Sequence, residues 1–296
     1  MLQVYKWLRN VILVVVFFLV LGKLLTYFLP TNLLLNKAGF SQAIYTQDGH
    51  LLKLTLSSDD KYRLFVPLDQ ISLDFIQTIL LQEDKYYYYH FGINPIGIIR
   101  GIWLTYLRGH RTGGSTISMQ LARTRFGLNS RHPLGKLKQL CWSLALELLY
   151  SKSQILEAYL NLIPFGGNIE GIGAASLIYL KKQPSELTLA ESYLLAAIPK
   201  SPVARNPVKF RENLKLAASE LLSKDKSKRL QVSELQQVDL SGRPADLPKK
   251  ALHLVSRVTK SFPFDSKLIT TISNELQGTT QEQISNFIKK NRSVGI

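Results

Sequence analysis

The residues best placed to do chemistry lie between positions 83 and 123, EDKYYYYHFGINPIGIIRGIWLTYLRGHRTGGSTISMQLAR. The stretch opens with Glu83-Asp84 beside an aromatic run that ends at His90 and Gly92. A carboxylate held against aromatic rings is a candidate for a raised pKa, and so for general acid or base work. The stretch closes on Gly113-Gly114-Ser115-Thr116, a polar turn that starts a helix carrying Gln120 and Arg123. A turn of that kind at a helix N-terminus offers backbone N–H groups to an anion. A carboxylate next to an anion cradle is what a transferase with a phosphorylated donor requires.

Those groups must be carried by surrounding elements. Residues 71–82 repeat apolar side chains at helical spacing and deliver Glu83-Asp84 at their end. Residues 95–106 also read as a helix, and 108–112 as a basic loop with Arg108, His110 and Arg111. A helix over 116–125 is capped by Ser115 or Thr116. Residues 134–149 form a clear amphipathic helix: Leu137, Leu140, Cys141, Leu144 and Leu148 on one face, Lys136, Gln139, Ser143 and Glu147 on a second. The pattern predicts that the first face is core, with Cys141 an inert buried thiol, and that the second is solvated. Ser151 and Gln154 make a capping box for a helix running to 162, with Ile155, Leu156, Tyr159 and Leu160 as its apolar positions; Thr188 and Glu191 make another, for a helix to 198. Residues 171–180 are rich in small side chains suited to tight helix packing.

Before the helical region, residues 43–45 and 51–56 flank Asp48-Gly49 and predict a short β-hairpin, with 64–66 as a further strand. After it, 211–222 reads as a helix, 223–250 as an exposed charged linker, and 269–290 as a short strand and helix. Ser223 and Lys226 match S-x-x-K by letter only, in a segment too polar for a buried nucleophile.

The chain has 296 residues and a net charge of +16. That charge favours an anionic membrane surface or a phosphate-bearing lipid as partner. Nucleic acid is not expected, since no basic helix or zinc-ligand spacing supports it. A single cysteine excludes an intramolecular disulfide. Residues 11–29, VILVVVFFLVLGKLLTYFL, approach the ~20 apolar residues that span a bilayer. Lys6 and Arg9 precede the run with no acidic residue, which places the N-terminus in the cytoplasm. No small-residue cleavage site follows, so an uncleaved anchor is expected.

Taken in order, these motifs resemble the peptidoglycan glycosyltransferases of glycosyltransferase family 51, and within them the penicillin-binding protein 1C branch. The similarity runs over about residues 43–207. Glu83-Asp84-x-x-Tyr87-x-x-His90-x-Gly92 matches the first motif, with Tyr87 at a usual phenylalanine. Gly113-Gly114-Ser115-Thr116-Ile117-x-x-Gln120-Leu121-Ala122-Arg123 matches the second, with Met119 at the first of two usual glutamines and Arg123 at a usual lysine. Ile155-Leu156-Glu157-x-Tyr159-Leu160-Asn161 matches the fourth, and Gly171-Ile172-x-Ala174-Ala175-x-x-x-Tyr179 the fifth. The third departs: where Arg-Lys-x-x-Glu is usual, the chain has Gly135-Lys136-Leu137-Lys138-Gln139. Glu147, about two turns on, could partly replace the missing carboxylate. Lys181 stands at a usual glycine.

The resemblance implies a mainly α, lysozyme-like domain beside a single-pass anchor in a bacterial inner membrane, with the catalytic part on the extracytoplasmic side. It implies polymerisation of lipid II onto a growing glycan chain, with inversion and release of undecaprenyl pyrophosphate. Glu83 is then the catalytic carboxylate. Asp84, His90, Ser115, Thr116, Gln120, Arg123, Lys136 and Gln139 are the expected substrate-binding set, with Ser115, Thr116, Gln120, Arg123 and Lys136 on the leaving-group side. The resemblance implies no definite cofactor, and a divalent cation, Mg2+ or Mn2+, is compatible with that site. The expected division is anchor 1–30, glycosyltransferase domain 40–210, then 211–296 as linker and truncated start of a transpeptidase-like region led by Thr270-Thr271-Ile272. A separate transpeptidase or a cell-wall synthesis complex is the expected protein partner. Two other readings stand beside this one. A catalytically degenerate remnant that binds lipid II is motivated by Gln139 and Gly135. A lysozyme-like hydrolase is disfavoured by the anchor and the Gly-Gly-Ser-Thr turn.

Overall fold

A computed structural model of the chain describes residues 5–7, 9–11, 13–14, 17, 21, 32–36, 38–97, 114–130, 132–225, 230–263 and 265–293. The apolar run 11–29, the expected helix 95–106 and the basic loop 108–112 therefore fall largely outside the described residues. Among the described residues no helix is long and apolar enough to cross a membrane.

After a short helix, α1 (Asn32–Leu35), comes the expected hairpin, β1 (Ala43–Tyr45) and β2 (Leu51–Leu54), turned at Gly49 with φ of +77°. The strands pair antiparallel, Ala43 opposite Leu54. Residues 64–66 form no strand. Their backbone is taken instead by side chains of a later helix, described below.

The helical body follows: α2 (Leu73–Glu83), α3 (Ile117–Phe126), α4 (Pro133–Leu149), α5 (Lys152–Leu162), a small hairpin of β3 (Pro164–Gly166) and β4 (Ile169–Glu170), α6 (Ile172–Leu180), α7 (Leu189–Ala197) and α8 (Arg211–Lys224). Helix α2 packs on α7, α7 on α8, and α3 on both α4 and α5. Their shared core includes Phe75, Ile79, Ile117, Leu121, Leu156, Ile172 and Leu194. Both expected capping boxes are present, Ser151 with Gln154 and Thr188 with Glu191.

The fourth and fifth motifs are structural clamps. Asn161 accepts from Val66 N and donates to Val66 O, each at 2.9 Å, and Glu157 accepts from Leu68 N at 2.9 Å. Two polar side chains of α5 thus satisfy a buried extended segment that has no ladder partner. Gly173 lets α6 approach that segment, because a Cβ there would lie 2.4 Å from Leu64 O.

Helix α4 is turned over relative to its hydrophobic pattern. Gln139, Ser143 and Glu147 are buried, whereas Leu134, Leu137, Cys141 and Leu144 are exposed. Cys141 is therefore not a core thiol. The cause is α3, which offers polar partners to the face of α4 that meets it: Gln139 donates to Met119 O and Ser118 donates to Glu147.

The segment expected as an exposed linker is partly core. Helix α9 (Val232–Gln237) buries Leu235, flanked by buried Leu230 and Leu240. Beyond it lie α10 (Leu252–Ser261), β5 (Lys267–Ile269) and α11 (Asn274–Ser293). Strand β5 adds parallel to β1, giving the order β2-β1-β5.

Asn161→Ala removes three hydrogen bonds from a fully buried amide and leaves Val66 unpaired. A destabilisation of about 2–4 kcal/mol is expected in chemical denaturation.

Candidate active site

Glu83 is the last residue of α2 and Asp84 its C-cap. The two neighbouring carboxylates have different fates. Asp84 is buried and fully engaged. Its Oδ2 accepts the Ile117 backbone N–H at 3.0 Å, at the start of α3, and its two oxygens lie 2.9 and 3.0 Å from His90 Nε2. A carboxylate only accepts, so Nε2 carries the proton. Negative charge at a helix N-terminus is favourable, and here it also joins the end of α2 to the start of α3.

That junction sets Glu83 beside Gln120. Gln120 Nε2 donates to Glu83 Oε2 at 2.8 Å, and Tyr159 OH donates to Gln120 Oε1 at 3.4 Å. Glu83 Oε1 is buried and has no partner among the described residues. Burial raises the pKa of Glu83 above its ordinary value. The Gln120 hydrogen bond and the charges of Lys200, Arg205 and Arg123 pull it back down, less strongly. An unpartnered carboxylate oxygen with raised proton affinity is suited to taking a proton.

Thr116 is the N-cap of α3: its hydroxyl accepts from Met119 N at 3.2 Å and donates to Gly92 O at 2.6 Å. Gly92 has φ of +74°, and a Cβ there would meet Ser143 O at 2.8 Å, so the first motif needs glycine to reach the cap. Tyr87, at a usual phenylalanine, is buried with its hydroxyl donating to Lys152 O at 2.7 Å. Ser115 accepts from Lys136 Nζ at 2.8 Å, and Lys136 also donates to Gln139 Oε1 at 3.1 Å. Burial, and then the charge of Arg123, lower the pKa of Lys136.

Together Glu83, Gly114, Ser115, Thr116, Lys200 and Lys224 line a cleft of about 410 Å3. Asp84 also contributes to the wall. Lys200 and Lys224 are not evident from the sequence, because they come from the turn after α7 and from the last residue of α8 and follow no local pattern. Tyr159 reads as an apolar helix position, and the need of a buried tyrosine hydroxyl for a partner is the signal that singles it out. Glu147 does not stand in for the carboxylate missing at 139. It is held behind α3 by Ser118 and by Lys152 at 2.7 Å.

The transglycosylase family model matches residues 48–226. The chain belongs to the transglycosylase family. It is similar to penicillin-binding protein 1C of Escherichia coli (strain K12), 32% identical over 261 residues, 86% of this chain and 33% of that one. It is similar also to penicillin-binding protein 1A of Vibrio cholerae, 37% identical over 166 residues, 56% of this chain and 20% of that one. Penicillin-binding protein 4 of Bacillus subtilis (strain 168) is 30% identical over 257 residues, 82% of this chain and 40% of that one. The chain thus spans 20–40% of the length of these relatives. The resemblance read from the motifs is borne out, as is the mainly helical architecture with small sheets.

The donor set of this transglycosylase does not fit a divalent cation held by protein ligands. Among the described residues no group of three His, Cys, Asp or Glu side chains could hold one. Asp84 is consumed by α3 and His90, and the groups behind Ser115 are an ammonium, Lys136, and an amide, Gln139.

The pKa shift of Glu83 has a consequence for stability. The folded state binds the proton more tightly than the unfolded chain, so stability falls as pH rises from the ordinary glutamate range through the raised value. Glu83→Gln is therefore expected to melt at or above the wild-type temperature at pH 7.5. The gap should close as pH drops below the ordinary glutamate pKa, as followed by thermal melts across pH.

Proposed function

We propose that the chain is a peptidoglycan glycosyltransferase that polymerises lipid II into glycan strands in bacterial cell-wall synthesis. The observation that carries this reading is the orphan Oε1 of Glu83, a residue of a cleft that Ser115 also lines, with Lys136 hydrogen-bonded to Ser115 behind it. Inversion in one displacement needs a base on the attacking side and a charge sink on the leaving side. The acceptor GlcNAc 4-hydroxyl forms the new bond to MurNAc C1. The C1–phosphate bond breaks, its electron pair leaves with undecaprenyl pyrophosphate, and the hydroxyl proton passes to Glu83 Oε1. Lys136, Ser115 and Arg123 face the departing diphosphate, and Lys200 and Lys224 add positive charge across the cleft. Gln120 holds Glu83 in place. Asp84, His90 and Thr116 act through the α2–α3 junction.

The membrane setting belongs to the same proposal: residues 11–29 as a single span, the N-terminus cytoplasmic, and the catalytic domain on the extracytoplasmic side of the inner membrane. Support comes from the length of the apolar run and from Lys6 and Arg9 before it. The exposed apolar side of α4, with Trp142 stacked on Phe126 at 4.1 Å, adds to it, since a lipid-linked substrate must be taken from the bilayer. Arg125 Nε donates to Leu34 O at 2.6 Å, which ties α3 to the segment following the apolar run. The division into an anchor (1–30), a glycosyltransferase domain (40–210) and a C-terminal part (211–296) is proposed with it. A separate transpeptidase or a cell-wall synthesis complex as protein partner rests on the resemblance.

With purified lipid II, Glu83→Gln is expected to lower polymer formation at least ~10^3-fold, in line with loss of a general base and its electrostatic role. Binding of lipid II should persist. Polymer formed by the variant at the wild-type rate would overturn the role given to Glu83.

A further inference from the structure

The amide of Gln139 has an acceptor on one side and a donor on the other. Its Nε2 donates to Met119 O at 2.6 Å, and its Oε1 accepts from Lys136 Nζ at 3.1 Å. Met119 O can only accept and an ammonium can only donate, so the two neighbours fix which end of the amide is which. A glutamate could meet Lys136 but would set its second oxygen against a carbonyl, inside a site where Gln139 is 1% exposed. Glutamine therefore satisfies both neighbours, where an ionised glutamate would satisfy only one.

The charge balance follows from the same geometry. Lys136 contacts two neutral oxygens, Ser115 Oγ and Gln139 Oε1, and makes no ion pair with a carboxylate among the described residues. Its positive charge is held against Ser115, which lines the cleft, and is not neutralised by a carboxylate there. Arg123 stands near enough for its charge to act on Lys136, and it too has no ion-pair partner among the described residues. The usual glutamate at 139 would neutralise Lys136, leaving a diphosphate in need of charge from elsewhere, such as a bound divalent cation.

We infer that Gln139 is a positioning residue that leaves the charge of Lys136 free for the substrate diphosphate, so that this transglycosylase binds diphosphate without a divalent cation. The inference rests on the lipid II reading for its substrate, but it concerns diphosphate recognition, which can be measured without turnover. Gln139→Glu, which restores the family's usual residue, is then expected to weaken the site. The opposite result, a large gain, would mark a degenerate enzyme.

The test is calorimetric titration of the full chain in detergent with inorganic pyrophosphate, in EDTA and in excess Mg2+. Wild type should bind in EDTA and no more tightly in Mg2+. Gln139→Glu should bind at least about tenfold more weakly in EDTA, the scale of neutralising one charge-assisted contact, with part of the loss recovered in Mg2+. Lys136→Met, which removes the charge and leaves Gln139 in place, should lose binding in both. Melting temperatures of all three proteins separate this from unfolding. Wild-type binding that requires Mg2+, or that is absent from both buffers, would overturn the inference, as would a Gln139→Glu protein matching wild type in EDTA. A parallel lipid II polymerisation in EDTA keeps the two claims apart. If wild type binds pyrophosphate in EDTA but makes no polymer under any condition, the lipid II reading fails and the inference on Gln139 stands.

Discussion

Asp84 sits where the end of α2 meets the start of α3, and its two oxygens serve both helices. One accepts the first free N–H of α3, and both lie against His90. A buried carboxylate is costly unless its lone pairs are met, and here each is met by a donor fixed in the fold. The consequence falls on its neighbour. With the end of α2 pinned in this way, Glu83 projects toward Gln120, one turn into α3. The proposed base is placed by the residue beside it.

Desolvation shapes the rest of the site in two directions. It raises the proton affinity of Glu83 and lowers that of Lys136, which brings a carboxylate and an ammonium nearer to neutral forms while the cleft is unliganded. The cations around Glu83 oppose its shift, so the carboxylate remains a base that can be ionised and still gain from taking a proton. Binding a diphosphate would add negative charge beside Lys136 and push its proton affinity back up. In the proposed reaction the substrate would thereby strengthen the contact made to its own leaving group.

Much of this was legible in the sequence where local chemistry determines the outcome. The Asp48-Gly49 turn and the two capping boxes are local rules, and the structure follows them. Helix α4 shows where such reading stops. Its apolar stripe predicts a core face, yet the face that packs is the one with Gln139, Ser143 and Glu147, because the partner helix presents a carbonyl and a hydroxyl rather than a hydrophobic groove. Periodicity reports that two faces differ and leaves the choice of the inward one to the partner. Lys200 and Lys224 reach the cleft from elements more than 75 residues beyond Thr116, so nothing near the motifs announces them. The fourth motif was visible as letters, but Asn161 and Glu157 as clamps on residues 66–68 depend on a tertiary contact that no spacing encodes. The stretch 223–250 reads as linker because its charges outnumber its leucines, although three of those leucines are enough to seat it on the core.

The central claim is that Glu83 acts as a base whose proton affinity is raised by burial and restrained by its neighbours. The measurement that addresses it most directly is the pH dependence of kcat/KM for lipid II polymerisation by the wild-type chain. The acid limb reports the ionisation of the essential base in the free enzyme. A limb above the ordinary glutamate value is expected, with activity rising as pH increases through it. A limb at or below the ordinary value, or activity that grows as the pH falls, would contradict it.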